Sequence, residues 1–174
     1  MTYEYSVLII FTLSYTTAEE GKIWAMYTLG MNYRDGDYGF DKNLPEALKY
    51  IRMAAERGYA KAQCDLGYMY SKGEGVPQDM KKAFDLYMQA AVQGLATAQY
   101  NVGNAYYGGE GVDKDVNQSF IWYKKAAEQG YTFAQYNLGN SVKLIIIDVL
   151  YVHVYTYHYR IIILSWCRDS NRYG

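Results

Sequence analysis

Cysteine and histidine are scarce in this chain of 174 residues, with two of each. The cysteines, Cys64 and Cys167, lie far apart, which argues against a disulfide framework and is compatible with a reducing compartment. The histidines, His153 and His158, would face different sides of a helix and opposite faces of a strand. We therefore expect a cytoplasmic protein without a metal site or cofactor.

An excess of charge of one sign is also missing. The chain has 17 basic and 18 acidic residues, and its net charge is −1. A nucleic-acid groove needs clustered lysine and arginine, so this balance argues against a nucleic-acid partner. Apolar residues make up 51% of the chain and charged residues 20%, a composition that argues against a disordered polymer.

A membrane-spanning stretch is not evident in the apolar C-terminal region. Its uncharged run, Val149–Tyr159, is shorter than the roughly 20 residues that a spanning helix needs. Lys143, Asp148 and Arg160 interrupt the apolar sequence around this run. A membrane partner is therefore not expected, although a tether through the tail stays open as an alternative.

What the sequence does contain is a tandem repeat. The segment Ala60–Gly94 reads as two helices joined by a glycine loop, and the pattern returns over Ala96–Gly130. The step is about 36 residues, a period typical of solenoids built from small helical units. The repeat predicts a domain at 18–141, with units at 23–58, 59–94 and 95–130 and a partial fourth unit at 131–141, between unmatched segments at 1–17 and 142–174.

Each predicted unit carries the signals of a helix pair. Small and apolar residues recur at helical spacing in both helices, with a glycine in the first helix where a neighbouring helix would pass too close for a Cβ. Asn43 and Glu46 resemble a capping box at the start of a second helix, Asp115 and Gln118 repeat the arrangement, and Asp79 takes the same cap position.

The motif resembles the Sel1-like repeat, a relative of the tetratricopeptide repeat. The second unit carries nearly every position of the motif: Ala62, Gln63, Leu66, Gly67, Tyr70, Gly73, Gly75, Val76, Asp79, Ala83, Tyr87, Ala90, Ala91 and Gly94. The resemblance covers roughly residues 18–140. It implies an all-α fold, an α-solenoid of stacked helix-turn-helix repeats that binds other proteins, without catalytic residues in the repeat itself.

The resemblance also implies where a partner would bind. In tetratricopeptide units, certain first-helix positions line a concave groove that takes a protein or peptide partner. The matching residues here are Trp24, Tyr27, Met31 and Arg34 in unit one, Lys61, Tyr68 and Ser71 in unit two, Tyr100, Asn104 and Tyr107 in unit three, and Phe133 and Tyr136 in the partial unit. Cys64, Lys72, Thr97 and Asn140 occupy further positions of the same set.

Other functions and the two ends of the chain stay open. A membrane-tethered scaffold of a quality-control or signalling complex would use the tail, which reads either as an improvised cap or as sequence never selected as part of a repeat protein. Residues 1–17 are read as a packing segment, because a signal peptide would have a basic start and a cleavage site. A β-lactamase-like hydrolase related to cysteine-rich repeats would need paired cysteines in every unit, which this chain lacks.

Overall fold

The structure is a computed structural model that describes Thr12 and residues 15–139. The predicted tail at 142–174 lies outside the described residues, and so does most of the segment 1–17. Six complete helices are described: α1 Ile23–Asp35, α2 Leu44–Glu56, α3 Ala60–Lys72, α4 Met80–Val92, α5 Ala96–Gly108 and α6 Val116–Glu128. Residues 15–19 and 132–139 are also helical, and no strand occurs in the described part of the chain.

The helices stack in the order of the sequence. Within a unit α1 packs on α2, α3 on α4 and α5 on α6, and between units α2 packs on α3 and α4 on α5. Each complete helix has 13 residues. This equal length gives successive units the same dimensions, and the predicted all-α solenoid is confirmed.

Polar side chains fix the start of each second helix, as predicted. Each cap residue lies in extended backbone and accepts a hydrogen bond from the backbone N–H three residues later, which satisfies one free helical donor. These bonds are Glu46 to Asn43 at 3.2 Å, Lys82 to Asp79 at 2.9 Å and Gln118 to Asp115 at 3.0 Å.

The reciprocal half of the predicted capping box is wrong. The backbone N–H of Asn43 donates to the carbonyl of Tyr33 at 2.8 Å, so it does not bond Glu46. The Glu46 carboxylate instead accepts from Lys49 at 3.1 Å. The backbone N–H of Asp115 likewise donates to the carbonyl of Tyr106 at 2.9 Å. The cap residue therefore ties the second helix to the end of the first.

Close approach within each unit explains the recurrent first-helix glycine, as expected from the sequence. The opposing side chain always comes from the same position of the second helix. A Cβ would lie 2.7 Å from Ile51 Cγ1 at Gly30, 2.9 Å from the Tyr87 ring at Gly67 and 2.6 Å from the Tyr123 ring at Gly103. Distances this short are not tolerated between carbon atoms, so only glycine fits without rearrangement.

A first-helix glutamine connects units two and three and the partial fourth unit to the unit before each of them. Gln63 and Gln99 are buried, whereas Gln135 is exposed. The side-chain amide of this glutamine donates to a carbonyl near the end of the preceding second helix, and in two units its own oxygen accepts from a second glutamine. The amide bonds are Gln63 to Ala55 at 3.2 Å, Gln99 to Ala91 at 3.2 Å and Gln135 to Ala127 at 3.4 Å. The second bonds are Gln93 to Gln63 at 2.7 Å and Gln129 to Gln99 at 2.8 Å.

Unit one joins the preceding segment through different side chains. Met26 replaces the buried glutamine and Arg57 replaces its partner. The Arg57 guanidinium lies 3.4 Å from Met26 Sδ and donates to the carbonyl of Gly21 at 3.0 Å. Residues 15–21 also end as a second helix does, because Gly21 has φ +83° and donates to the Ala18 carbonyl at 3.0 Å.

Candidate partner-binding face

The residues predicted to bind a partner lie on α1, α3, α5 and the helix at 132–139, and we call this surface the first-helix face. The structure divides the twelve side chains into two groups. The exposed group consists of Trp24, Lys61, Tyr68, Tyr107, Phe133 and Tyr136. The half-buried group consists of Tyr27, Met31, Arg34, Ser71, Tyr100 and Asn104.

The exposed group is mainly aromatic. Trp24 keeps 56% of its accessible surface, Phe133 66% and Tyr136 72%. Tyr68 and Tyr107 are also exposed, and each has a lysine ammonium within 6 Å of its ring, from Lys72 and Lys114 respectively. Large rings exposed along one face supply contact area for a partner at a small cost in side-chain entropy.

Several residues of the half-buried group make contacts within the array. Met31 packs against the buried core of units one and two. Arg34 pairs with Asp35 at 2.9 Å. Ser71 donates to the Tyr68 carbonyl at 2.8 Å and accepts from the Tyr87 hydroxyl at 3.3 Å. These contacts give the three side chains a structural role. The assignment of all twelve residues to partner binding stays a prediction.

A ladder of side-chain hydrogen bonds crosses the first-helix face from unit to unit. In each pair, a residue of one first helix contacts a residue of the following first helix that lies one position later in the repeat motif. The Tyr27 hydroxyl donates to Asp65 Oδ2 at 2.7 Å, the Asn101 amide lies 3.6 Å from Cys64 Sγ, and the Asn137 amide donates to the Tyr100 hydroxyl at 3.4 Å. Neighbouring first helices are therefore locked in register at three junctions.

The ladder places an acid and a thiol away from water. Burial raises the pKa of Asp65 above its usual value, although the hydrogen bond from Tyr27 and the charge of Arg34 oppose the shift. Burial raises the pKa of the Cys64 thiol to about 11, with a smaller contribution from the charge of Asp65. Cys64 is therefore a neutral packing residue near pH 7, and not an accessible groove residue as its position suggested.

Asp65→Asn tests this account of the ladder. The raised pKa means that Asp65 adds stability below its unfolded-state pKa, and that this contribution is lost as pH rises through its folded-state pKa. Asparagine already occupies the matching positions 101 and 137. We expect the variant to gain stability relative to the parent chain between about pH 3 and pH 7, measured by urea unfolding. Asp113→Asn, in an exposed loop, is the control, and a constant difference across this range would contradict the account.

A cleft of about 170 Å³ lies on the first-helix face between units two and three. Tyr68, Ser71 and Lys72 border it on one side, and Asn101 and Asn104 border it on the other. Its floor comes from α4. The cleft is small, open to solvent and lined by polar and apolar groups alike, which suits part of a polypeptide better than a small apolar molecule.

Aromatic rings cluster where the described array ends. Tyr100 has ring centroid distances of 5.8 Å to Tyr123, 5.2 Å to Tyr131 and 6.3 Å to Phe133. Tyr131 and Phe133 lie 5.9 Å apart, and the rings are tilted relative to one another. We call Tyr100, Tyr131 and Phe133 the aromatic triangle. Tyr100 is thereby packed on two sides, while Phe133 projects from the surface.

Within residues 15–139 there is no cluster of histidine, cysteine and carboxylate side chains that could hold a metal ion. The helices of this part are also too short or too polar to cross a membrane. The tail on which the membrane alternative depends lies outside the described residues. What the described residues do show is a stack of helices with exposed aromatic rings on the first-helix face.

The repeat can be compared with known proteins now that its geometry is defined. The Sel1 repeat family model matches residues 25–59, 60–95 and 96–131. The chain belongs to the Sel1 repeat family. Sel1 repeat proteins are generally protein-interaction scaffolds, and the family is typically non-catalytic.

Solved Sel1 repeat structures share the fold. The chain is 40% identical to a Sel1 repeat protein from Oxalobacter formigenes, with a TM-score of 0.70, and the match covers 75% of this chain and 97% of that protein. It is 35% identical to c5321, a protective antigen of uropathogenic Escherichia coli with an SLR fold, with a TM-score of 0.73, over 75% of this chain and 28% of the antigen.

Two further comparisons are less informative, because one has a low identity and the other covers a short stretch. Helicobacter pylori cysteine rich protein B matches at 23% identity and a TM-score of 0.56, over 68% of this chain and 90% of that protein, which shows the fold alone. DAP3-binding cell death enhancer 1 from Rattus norvegicus and from Mus musculus is 40% identical over 52 residues. That match covers 30% of this Sel1 repeat chain and spans only 9% of either relative.

The sequence interpretation missed the residues that form the ladder. Asp65, Asn101 and Asn137 were assigned no role, although they follow directly on predicted groove positions. The signal was available, because polar hydrogen-bonding residues recur at this one position in units two, three and four of the Sel1 array.

Proposed function

We propose that this chain is a non-enzymatic adaptor that binds a peptide segment of a protein partner along its first-helix face. One observation carries the proposal. Six of the twelve predicted residues are exposed, five of these six are aromatic, and all of them extend from stacked helices. Exposed tyrosine, tryptophan and phenylalanine on a rigid scaffold are the residues that dominate binding energy in protein interfaces.

The spacing of the helices supports an extended or helical ligand. The first helices lie side by side with the ladder between them, so exposed rings of successive units lie on neighbouring helices. A segment that crosses these helices would contact several units at once, as peptides do in grooves that take an extended chain or a helix. The name of the rodent relatives describes binding to DAP3, which agrees with a binding role.

The proposal is tested by capture from a lysate of the source cells with the full-length chain. The double variant Tyr68→Ala/Tyr107→Ala removes two exposed rings, while Val92→Ala/Ile121→Ala removes two exposed apolar side chains from second helices. We expect the first variant to lose most of the specifically captured protein, with at least a tenfold weaker affinity, or about 1.4 kcal/mol, and the second to retain it.

Circular dichroism of both variants is the control for folding, since all four substituted side chains are exposed. Equal capture by the Tyr68→Ala/Tyr107→Ala variant and the parent chain would place the interface elsewhere.

A cytoplasmic location is also part of the proposal. It is supported by the one cysteine of the described residues, which is a buried free thiol.

A further inference from the structure

Charge is distributed unevenly along the first-helix face. Helix α5 contains no aspartate, glutamate, lysine, arginine or histidine, and neither does the segment 131–139. Helices α1 and α3 carry Arg34, Asp35, Lys61, Asp65 and Lys72. The face therefore has a charged half in units one and two and an uncharged half in unit three and the partial fourth unit.

The uncharged half contains the aromatic triangle and side-chain amides. Phe133 and Tyr136 are its most exposed rings. The rings of the triangle contact one another at centroid distances of 5.2 to 6.3 Å and are tilted by 43° to 55°, so they form an uneven apolar surface. A ligand for this surface needs apolar faces that pack against tilted rings.

Asn104 adds an oriented hydrogen-bond donor. Its Oδ1 accepts from the Tyr123 hydroxyl at 2.7 Å and from the Asn137 amide at 3.4 Å. Two donors on the oxygen fix the orientation of the planar amide, and the Nδ2 group lies on the opposite side. Because Asn104 borders the cleft between units two and three, this donor is placed to meet a carbonyl oxygen of a bound chain.

We propose that the uncharged half of the first-helix face binds an uncharged proline-rich segment in the polyproline II conformation. Such a segment exposes its carbonyl oxygens to donors such as the Asn104 amide, and its pyrrolidine rings pack against aromatic side chains. Proline has no N–H group, so the ligand needs few hydrogen-bond acceptors on the face, and α5 and 131–139 offer no carboxylate.

The absence of charge argues against acidic and basic peptides as ligands. An acidic peptide would lose hydration over α5 and the aromatic triangle without gaining a cation from either segment, and a basic peptide would likewise find no carboxylate there. Lys72, Glu110 and Lys114 are the charged groups at the edge of this half, and they include both signs. The inference rests on the proposed function, because it names the ligand class of that face.

Fluorescence anisotropy with the full-length chain tests the inference. The probe is fluorescein-labelled decaproline, and the comparison peptides are a labelled alternating Glu-Ala decapeptide and a labelled amphipathic helical peptide. We expect decaproline to bind most tightly, with little change between about 0.05 and 0.5 M salt because no ion pair is involved. Phe133→Ala should weaken its binding about tenfold, whereas Phe133→Tyr should preserve it.

Trp24→Ala is the matched control, since Trp24 is an exposed aromatic residue on the same face in unit one. Unchanged decaproline binding in this variant supports the assigned location. Tighter binding of the acidic or the helical peptide, decaproline binding that survives Phe133→Ala, or no decaproline binding at all would each overturn the inference. If partner capture is still weakened by Tyr68→Ala/Tyr107→Ala, the proposed function stands although the inference about its ligand fails. If that double variant captures the partner as well as the parent chain does, both the proposed function and this inference fail.

Discussion

Replacing Gly103 by alanine should destabilise unit three by about 1–2 kcal/mol after the gain in helix propensity is subtracted. The new Cβ would lie 2.6 Å from two carbon atoms of the Tyr123 ring. Tyr123 is buried, and its hydroxyl is bonded to Asn104, so the ring cannot move aside without breaking other contacts. Overpacking of this kind costs roughly 1–3 kcal/mol or more, and it outweighs the gain of about 1 kcal/mol in helix propensity.

Gly108→Ala is the matched control, because Gly108 is the last residue of the same helix. Its Cβ would approach only the Glu110 side chain, at 3.2 Å, and both residues are exposed. We expect this variant to be neutral or slightly more stable. Thermal unfolding measures both changes, and hydrogen exchange should place the loss at Gly103 in α5 and α6. Equal stability of the two variants would refute the close-approach explanation.

Replacing Gln99 by methionine should cost about 1–3 kcal/mol. The Gln99 amide bonds the Ala91 carbonyl and its oxygen accepts from Gln129. Methionine keeps a similar volume but leaves these two groups without their bonds in a site where Gln99 is only 6% exposed. Chemical denaturation of the full-length chain measures the loss.

The arrangement in unit one suggests a second substitution that would restore stability to the Gln99→Met variant. Met26 is accompanied there by Arg57, which reaches the Gly21 carbonyl. Gly94 is the equivalent glycine for unit three. We therefore expect the double variant Gln99→Met/Gln129→Arg to recover part of the lost stability. A double variant no more stable than Gln99→Met alone would show that the two arrangements are not interchangeable.

Much of the fold could be predicted because the responsible interactions are local or repeated. The caps at Asn43 and Asp79 depend on residues three apart in sequence, and the glycine positions recur at a fixed period. The capping-box partner of Asn43 was wrong because the competing acceptor, the Tyr33 carbonyl, lies ten residues earlier. A sequence pattern does not show which of two acceptors is nearer in space.

The site was harder to predict than the fold. Motif position placed Trp24 and Tyr27 in one set, but only Trp24 is exposed. Tyr27 bonds Asp65 of the next unit, 38 residues away, and packs edge-on against Tyr59 at 5.1 Å. Whether a ring faces solvent depends on the side chains of the neighbouring unit. The position of the ring in the repeat motif does not show which side chains those are.

The repeated junctions have a consequence for how such a chain can change length. Gln99 and Gln135 make the same bond to the end of the preceding second helix, and Asn137 bonds Tyr100 from the position that Asn101 occupies in unit three. A duplicated copy of unit three would therefore find matching surfaces on both sides. Gene duplication or deletion in steps of one unit can thus lengthen or shorten the array without new side chains at the joints, and each added copy is free to diverge at its exposed rings.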